Sequence, residues 1–165
     1  MQKTPAARTI LVVEDDSDDR LLTAEAFTEC GSPHEVHFVE DGEEALDYLN
    51  RRGKYDNMRQ QLLPGLILLD LNMPRKDGRE VLREIKASVT LRQTPVVILT
   101  TSMAEEDIQM AYELGVSSFI VKPERFESLV STIRLLCEYW FSLVKLPRAA
   151  VSQNHGDPAY SSPAR

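Results

Sequence analysis

The sequence predicts an α/β domain: a doubly wound parallel sheet of five strands with helices on both faces. Short apolar runs alternate in strict order with amphipathic segments, the pattern of repeated βα units. Several of these runs are almost continuous Ile, Leu and Val, as strands covered on both faces require. The chain has 165 residues and 42% hydrophobic content, enough for one core and a short tail. Crossovers between parallel strands are then right-handed.

The first strand is predicted at Thr9–Val13. A helix follows over Asp18–Cys30, with Asp16 or Ser17 as its cap, acidic residues in its first turn, and Gly31 as its stop. The second unit pairs a strand at Glu35–Val39 with a helix at Asp41–Arg52 that opens DGEEAL. The third strand, Gly65–Leu69, leads to a helix over Gly78–Ala87 with Val81, Leu82 and Ile85 on one face. The fourth strand, Pro95–Leu99, precedes a helix over Ala104–Leu114 that ends before Gly115. The fifth strand, Ser117–Val121, leads to a long helix from Glu124 to about Leu143. Its apolar residues, among them Leu129, Val130, Ile133, Leu136, Cys137, Trp140 and Phe141, recur at helical spacing. No internal repeat or second domain is evident. Residues 1–7 and the Pro-, Ser- and Ala-rich segment 147–165 read as tails flanking a domain at 8–146, the latter tail flexible.

The net charge of −7, with no Lys/Arg cluster, argues against nucleic-acid binding. No run approaches the ~18 apolar residues of a membrane span, and the opening MQKTPAAR lacks the apolar stretch of a signal peptide. The widely separated Cys30 and Cys137 read as small core residues of a reduced, cytoplasmic protein. The three histidines form no ligand set. His34 and His37 lie on opposite faces of a stretch, EVHFVE, that alternates like a strand.

The stretch LVVEDDSDDR is harder to reconcile with a buried strand. Five of the seven residues from Glu14 to Arg20 are acidic. Two unit charges ~5 Å apart repel by roughly 3 kcal/mol at an effective dielectric of about 20, so the carboxylates fan into water or gather around something positive. Ligands of doubly wound sheets bind beyond the carboxyl ends of the strands, where strand order reverses. Here the first strand ends in Glu14-Asp15, the third in Asp70, the fourth in Thr100 and the fifth in Lys122-Pro123. Neighbouring strands lie ~4.8 Å apart. If the first and third are adjacent, Glu14, Asp15 and Asp70 form a hard-oxygen site suited to Mg²⁺. Asp16, Asp18 and Asp19 are then left to start the first helix.

LVVEDD, LLDLNMP, ILTT and VKP, in this order and each at the end of its own strand, strongly resemble the receiver domain of two-component response regulators over about residues 8–142. The resemblance implies a flavodoxin-like strand order, 2-1-3-4-5. It implies that Asp70 accepts a phosphoryl group from a sensor histidine kinase, and that Glu14 and Asp15, with the backbone carbonyl of Asn72, hold Mg²⁺ beside it. Thr100 then corresponds to the hydroxyl drawn to the phosphoryl group, and Lys122 to the lysine that pairs with its oxygens. Lys122-Pro123 becomes a candidate cis bond. Phe119 occupies the aromatic switch position, where the family often has tyrosine. Lacking a hydroxyl, it can signal only through packing, filling space that Thr100 vacates; the alternative is a plain core aromatic.

No effector domain is expected after the last helix, which suggests a stand-alone receiver. Two features depart from a minimal one. The connection RGKYDNMRQQLLP, 52–64, exceeds the usual ~2–6 residues of such loops. The last helix also runs on into Glu138-Tyr139-Trp140-Phe141, beyond what a short strand can cover. Both are similar to the small response regulators that serve bacterial and cyanobacterial phytochromes. By that resemblance the partner is a phytochrome-linked kinase, and Tyr139, Trp140, Phe141 and Leu143 form a homodimer interface. The alternative is that these residues fold back on their own domain.

Competing readings fit less well. A haloacid-dehalogenase-type phosphatase needs D-x-D followed two residues on by Thr or Val, but Asp16-Ser17-Asp18-Asp19 runs into Arg20. A calcium loop needs Gly and Glu where Arg20 and Ala26 stand. A receiver that has lost phosphorylation would not retain every matching residue. The chain is therefore read as a phosphoacceptor signalling protein, with slow self-catalysed phosphorylation and dephosphorylation, not as an enzyme.

Overall fold

The computed structural model describes residues 8–152. Its strands are β1 (Ile10–Val13), β2 (Val36–Val39), β3 (Leu66–Leu69), β4 (Val96–Thr100) and β5 (Ser118–Val121). They form one parallel sheet in the order β2-β1-β3-β4-β5. The connecting helices are α1 (Ser17–Glu29), α2 (Gly42–Asn50), α3 (Gly78–Ala87), α4 (Glu105–Glu113) and α5 (Phe126–Glu138). Each strand and helix lies where the apolar pattern predicts it, with boundaries shifted by a residue or two at several ends and, at the end of the last helix, by five.

The alternation of side chains along each strand builds two cores. Leu11, Val13, Ile67, Leu69 and Ile98 point to one face, under α2, α3 and α4. Ile10, Val12, Leu66, Leu68, Val97 and Leu99 point to the other, under α1 and α5. All residues of β1, β3 and β4 are buried, which accounts for their continuous apolar runs. Removing one such Val, Leu or Ile from water contributes about 1.5–3 kcal/mol.

Local caps start the helices. The Asp16 carboxylate accepts from the amides of Asp18 and Asp19, and Asp41 accepts from Glu44. Asp77 and Glu80 form a reciprocal capping box on α3. Gly31, at φ +69°, ends α1 in the left-handed region that glycine tolerates best.

The long connection 52–64 is structured. A 3₁₀ helix spans Gly53–Met58, and Tyr55 is buried. Arg51, 1% exposed and at φ 55°, donates from its guanidinium to the carbonyls of Tyr48 (3.0 Å) and Leu62 (2.9 Å) and lies over the Tyr48 ring. One arginine thus ties both ends of the connection together. The Tyr55 hydroxyl donates to Glu44 at 2.8 Å.

Three expectations are corrected. The last α-helix stops at Glu138, and Tyr139–Leu143 form a π-helical turn. That wider turn carries Phe141 into the α1–α5 core, 9% exposed, with its ring 4.0 Å from that of His34. Phe141 is therefore not a free interface residue, whereas Tyr139 and Leu143 are 47% and 73% exposed. Residues 147–151 are not a loose tail: the Leu63 amide donates to the Ala150 carbonyl at 2.8 Å, and Leu62 pairs with Val151. The proposed tail at 1–7 and residues 153–165 lie outside the described residues. No cis peptide bond occurs among the described residues, so Lys122–Pro123 is trans.

The start of α3 packs hard against the end of β3. The Gly78 amide donates to the Leu71 carbonyl at 2.9 Å, and a Cβ at Gly78 would lie 2.0 Å from the Asp70 carbonyl oxygen. Gly78→Ala should therefore cost about 3 kcal/mol, the upper part of the overpacking range. Gly31→Ala, strained but with open space around it, should cost about 1 kcal/mol. Urea denaturation checks the ranking; the reverse order would refute the close approach.

Candidate phosphoacceptor and metal site

Register assembles the site. Val13 sits opposite Leu69, so Glu14 and Asp70 leave the sheet side by side at the β1/β3 junction where strand order reverses. Thr100 pairs with Val121 across β4 and β5, and the Lys122 amide donates to the Thr100 carbonyl at 2.7 Å. Carboxylate oxygens of Glu14, Asp15 and Asp70 all lie within 4.8 Å of one another, the one such ligand cluster among the described residues. Glu14 and Asp70 are buried, and Asp15 is partly exposed.

One cation already sits among them. The Lys122 ammonium binds the Glu14 carboxylate, lies 2.9 Å from Asp19 and is 3.5 Å from Asp70 Oδ2. Burial pushes the Glu14 carboxyl up to about 7, against the pull of the Lys122 ammonium and the Asp16 amide. Burial alone would lower the Lys122 pKa, but its bonds to Glu14 and Asp19 outweigh it and hold the ammonium protonated. A single lysine against Glu14, Asp15, Asp19 and Asp70 leaves excess negative charge in a largely buried pocket. That donor set, all hard oxygen with two protein loops contributing, fits a divalent cation.

The other predicted residues take distinct places. Thr100 is 0% exposed, and its hydroxyl accepts from the Ser102 amide at 3.4 Å. The Asn72 amide points at Asp70 Oδ1, 3.4 Å away. Phe119 is partly buried against the α2–α4 core, and its amide donates to the Tyr112 hydroxyl. Tyr139, Trp140, Phe141 and Leu143 lie toward the opposite end of the sheet, where Phe141 meets Gly65 just before β3.

Sequence reasoning missed two residues. Asp19 does more than favour the α1 dipole, because it also holds Lys122. Arg20 donates to the carbonyls of Glu14 (2.9 Å) and Asp15 (2.7 Å) and pairs with Glu40. It clamps the backbone of the acidic loop and offsets its charge from behind. Its position directly after the acidic run was the available signal.

Three comparisons with known proteins agree with this geometry. The family profile of the response regulator receiver domain matches residues 10–134. Response regulator Rcp1 of Synechocystis sp. is 40% identical over 142 residues, covering 86% of this chain and 95% of Rcp1. The crystal structure of the phosphorylated cyanobacterial phytochrome response regulator RcpA is 45% identical with a TM-score of 0.79, covering 86% of this chain and 99% of RcpA. The Mn²⁺-bound form of Rcp1 is 40% identical with a TM-score of 0.76, over 85% of this chain and 99% of that one. Acidic strand ends meeting at a reversal of strand order, a lysine and a threonine on the next two strands, and a profile spanning the whole sheet lead to one conclusion: the chain belongs to the response regulator receiver domain family.

Proposed function

We propose that this chain is a cytoplasmic response regulator that accepts a phosphoryl group on Asp70 from a sensor histidine kinase in a Mg²⁺-dependent reaction. The observation that carries this reading is the meeting of the Glu14, Asp15 and Asp70 carboxylates with the Lys122 ammonium 3.5 Å from Asp70. An Asp70 oxygen attacks the phosphorus of a phosphohistidine in line. The new P–O bond forms as the P–N bond breaks, and the departing imidazole takes the electron pair and a proton from solvent. Lys122 turns from Glu14 and Asp19 to the phosphoryl oxygens, and the Thr100 hydroxyl donates a hydrogen bond to them. Glu14, Asp15, Asp70 and the Asn72 carbonyl are the residues that would hold Mg²⁺. When bound, it supplies Lewis-acid charge neutralisation.

The signal passes outward through packing. As Thr100 moves, Phe119 fills the vacated space and biases the face built from α4, β5 and α5. The likeness to RcpA and Rcp1 supports a phytochrome-linked kinase as the partner. Exposed Tyr139 and Leu143, with half-buried Trp140 between them, support a homodimer through the end of α5.

Acetyl phosphate with Mg²⁺ should place one acid-labile phosphoryl group on the wild-type chain, read by intact mass. Asp70→Asn and EDTA should each abolish uptake, and Lys122→Ala should slow it about a hundredfold. No uptake by the wild type would refute the reading, and hydrolysis of many equivalents would make the protein a phosphatase. In sedimentation velocity the wild type should form a dimer that Tyr139→Ala with Leu143→Ala weakens at least tenfold, about 1.4 kcal/mol. A strict monomer with and without phosphorylation would remove the dimer.

A further inference from the structure

The two loops that flank the pocket are tied to each other by an ion pair outside it. Arg79, in the first turn of α3, donates from Nε to Asp107 Oδ1 at 2.8 Å and from a terminal nitrogen to Asp107 Oδ2 at 2.7 Å. This two-pronged fork is the strongest geometry an arginine and a carboxylate adopt. Asp107, in the first turn of α4, also accepts from the Ser102 hydroxyl at 2.7 Å. The Ser102 amide in turn donates to the Thr100 hydroxyl. The other end of the chain of contacts is equally fixed. Arg79 follows Gly78, whose amide is bonded to the Leu71 carbonyl beside Asp70. Asp77 lies 3.6 Å from Arg79 but makes no such fork.

We propose that Arg79 and Asp107 act as positioning residues, forming a latch that holds the β4–α4 loop, and through Ser102 the Thr100 hydroxyl, in the position it takes without a phosphoryl group. The inference rests on the reading of Asp70 as the phosphoacceptor. Thr100 is fully buried and bonded to the backbone two residues on. The proposed function draws the Thr100 hydroxyl toward a group on Asp70; that movement pulls on the Ser102 amide bonded to it, and Ser102 is anchored to a carboxylate paired with Arg79 of α3. The phosphoryl group and the latch therefore compete for one short segment. The ion pair sets how much of the attraction for the phosphoryl group is spent on moving it. The pair is only partly exposed, with Arg79 and Asp107 side chains 26% and 14% accessible, so it is screened less than a surface bridge.

Beryllofluoride with Mg²⁺ is the probe, with the bound fraction read by ¹⁹F NMR. Arg79→Gln should raise affinity about five- to tenfold. Ser102→Ala, which leaves the ion pair in place but cuts its link to the loop, should raise it in the same direction. The double variant should gain little beyond the larger single effect. Unchanged or weakened binding in a folded Arg79→Gln or Ser102→Ala protein overturns the latch, as do fully additive effects. If the wild type binds no beryllofluoride at all, the phosphoacceptor reading falls and the latch falls with it.

Discussion

The structure turns on one imbalance of charge. Glu14, Asp15, Asp19 and Asp70 converge at the β1/β3 junction, where the strand order reverses, and among the described residues Lys122 is the one ammonium that reaches into them. Inside a sheet that excludes water, an uncompensated carboxylate either binds a proton or attracts a cation. Burial pushes the Glu14 carboxyl up to about 7, against the pull of the Lys122 ammonium, which shows the first tendency. A divalent cation offers the second, and it would free Lys122 to face a group on Asp70. The pocket is thus set up to gain charge of opposite sign, and phosphoryl transfer is the chemistry that uses such a pocket.

Most of the fold serves to keep this imbalance in place. Three central strands with every residue buried fix the register that brings Glu14 level with Asp70. Arg20 secures the acidic loop by its carbonyls, leaving the carboxylates free. Gly78 allows α3 to seat directly on the Asp70 backbone. Opposite these rigid parts stands the β4–α4 loop, held by hydrogen bonds and an ion pair and not by apolar packing. Contacts of that kind can rearrange without opening a core.

The sheet, its helices and the pocket residues were legible because each left a one-dimensional trace. Continuous Ile/Leu/Val runs marked the buried strands, and carboxylates directly after two of those runs marked the pocket. What stayed hidden depends on contacts between distant segments. Nothing near Lys122 in the sequence indicates that Asp19, 103 residues away, is one of its partners. Arg79 and Asp107 are ordinary surface charges until the fold sets them 2.7 Å apart. The helical spacing through Phe141 was real, but periodicity alone does not distinguish an α-helix from a final π turn that redirects one ring inward. The segment 147–151 looked like a tail because its composition offers little to bury. Its order comes instead from backbone hydrogen bonds to residues 62 and 63, which any composition can make.

The central claim is that the buried carboxylates at the β1/β3 junction hold a divalent cation next to Asp70. Titration with Mn²⁺, followed by paramagnetic broadening of backbone amide signals, tests it most directly. The account predicts saturable broadening centred on Glu14, Asp15, Asp70 and Asn72, displaced by excess Mg²⁺ and lost in Asp15→Asn. Broadening centred elsewhere on the acidic surface, or none below millimolar Mn²⁺, would contradict it.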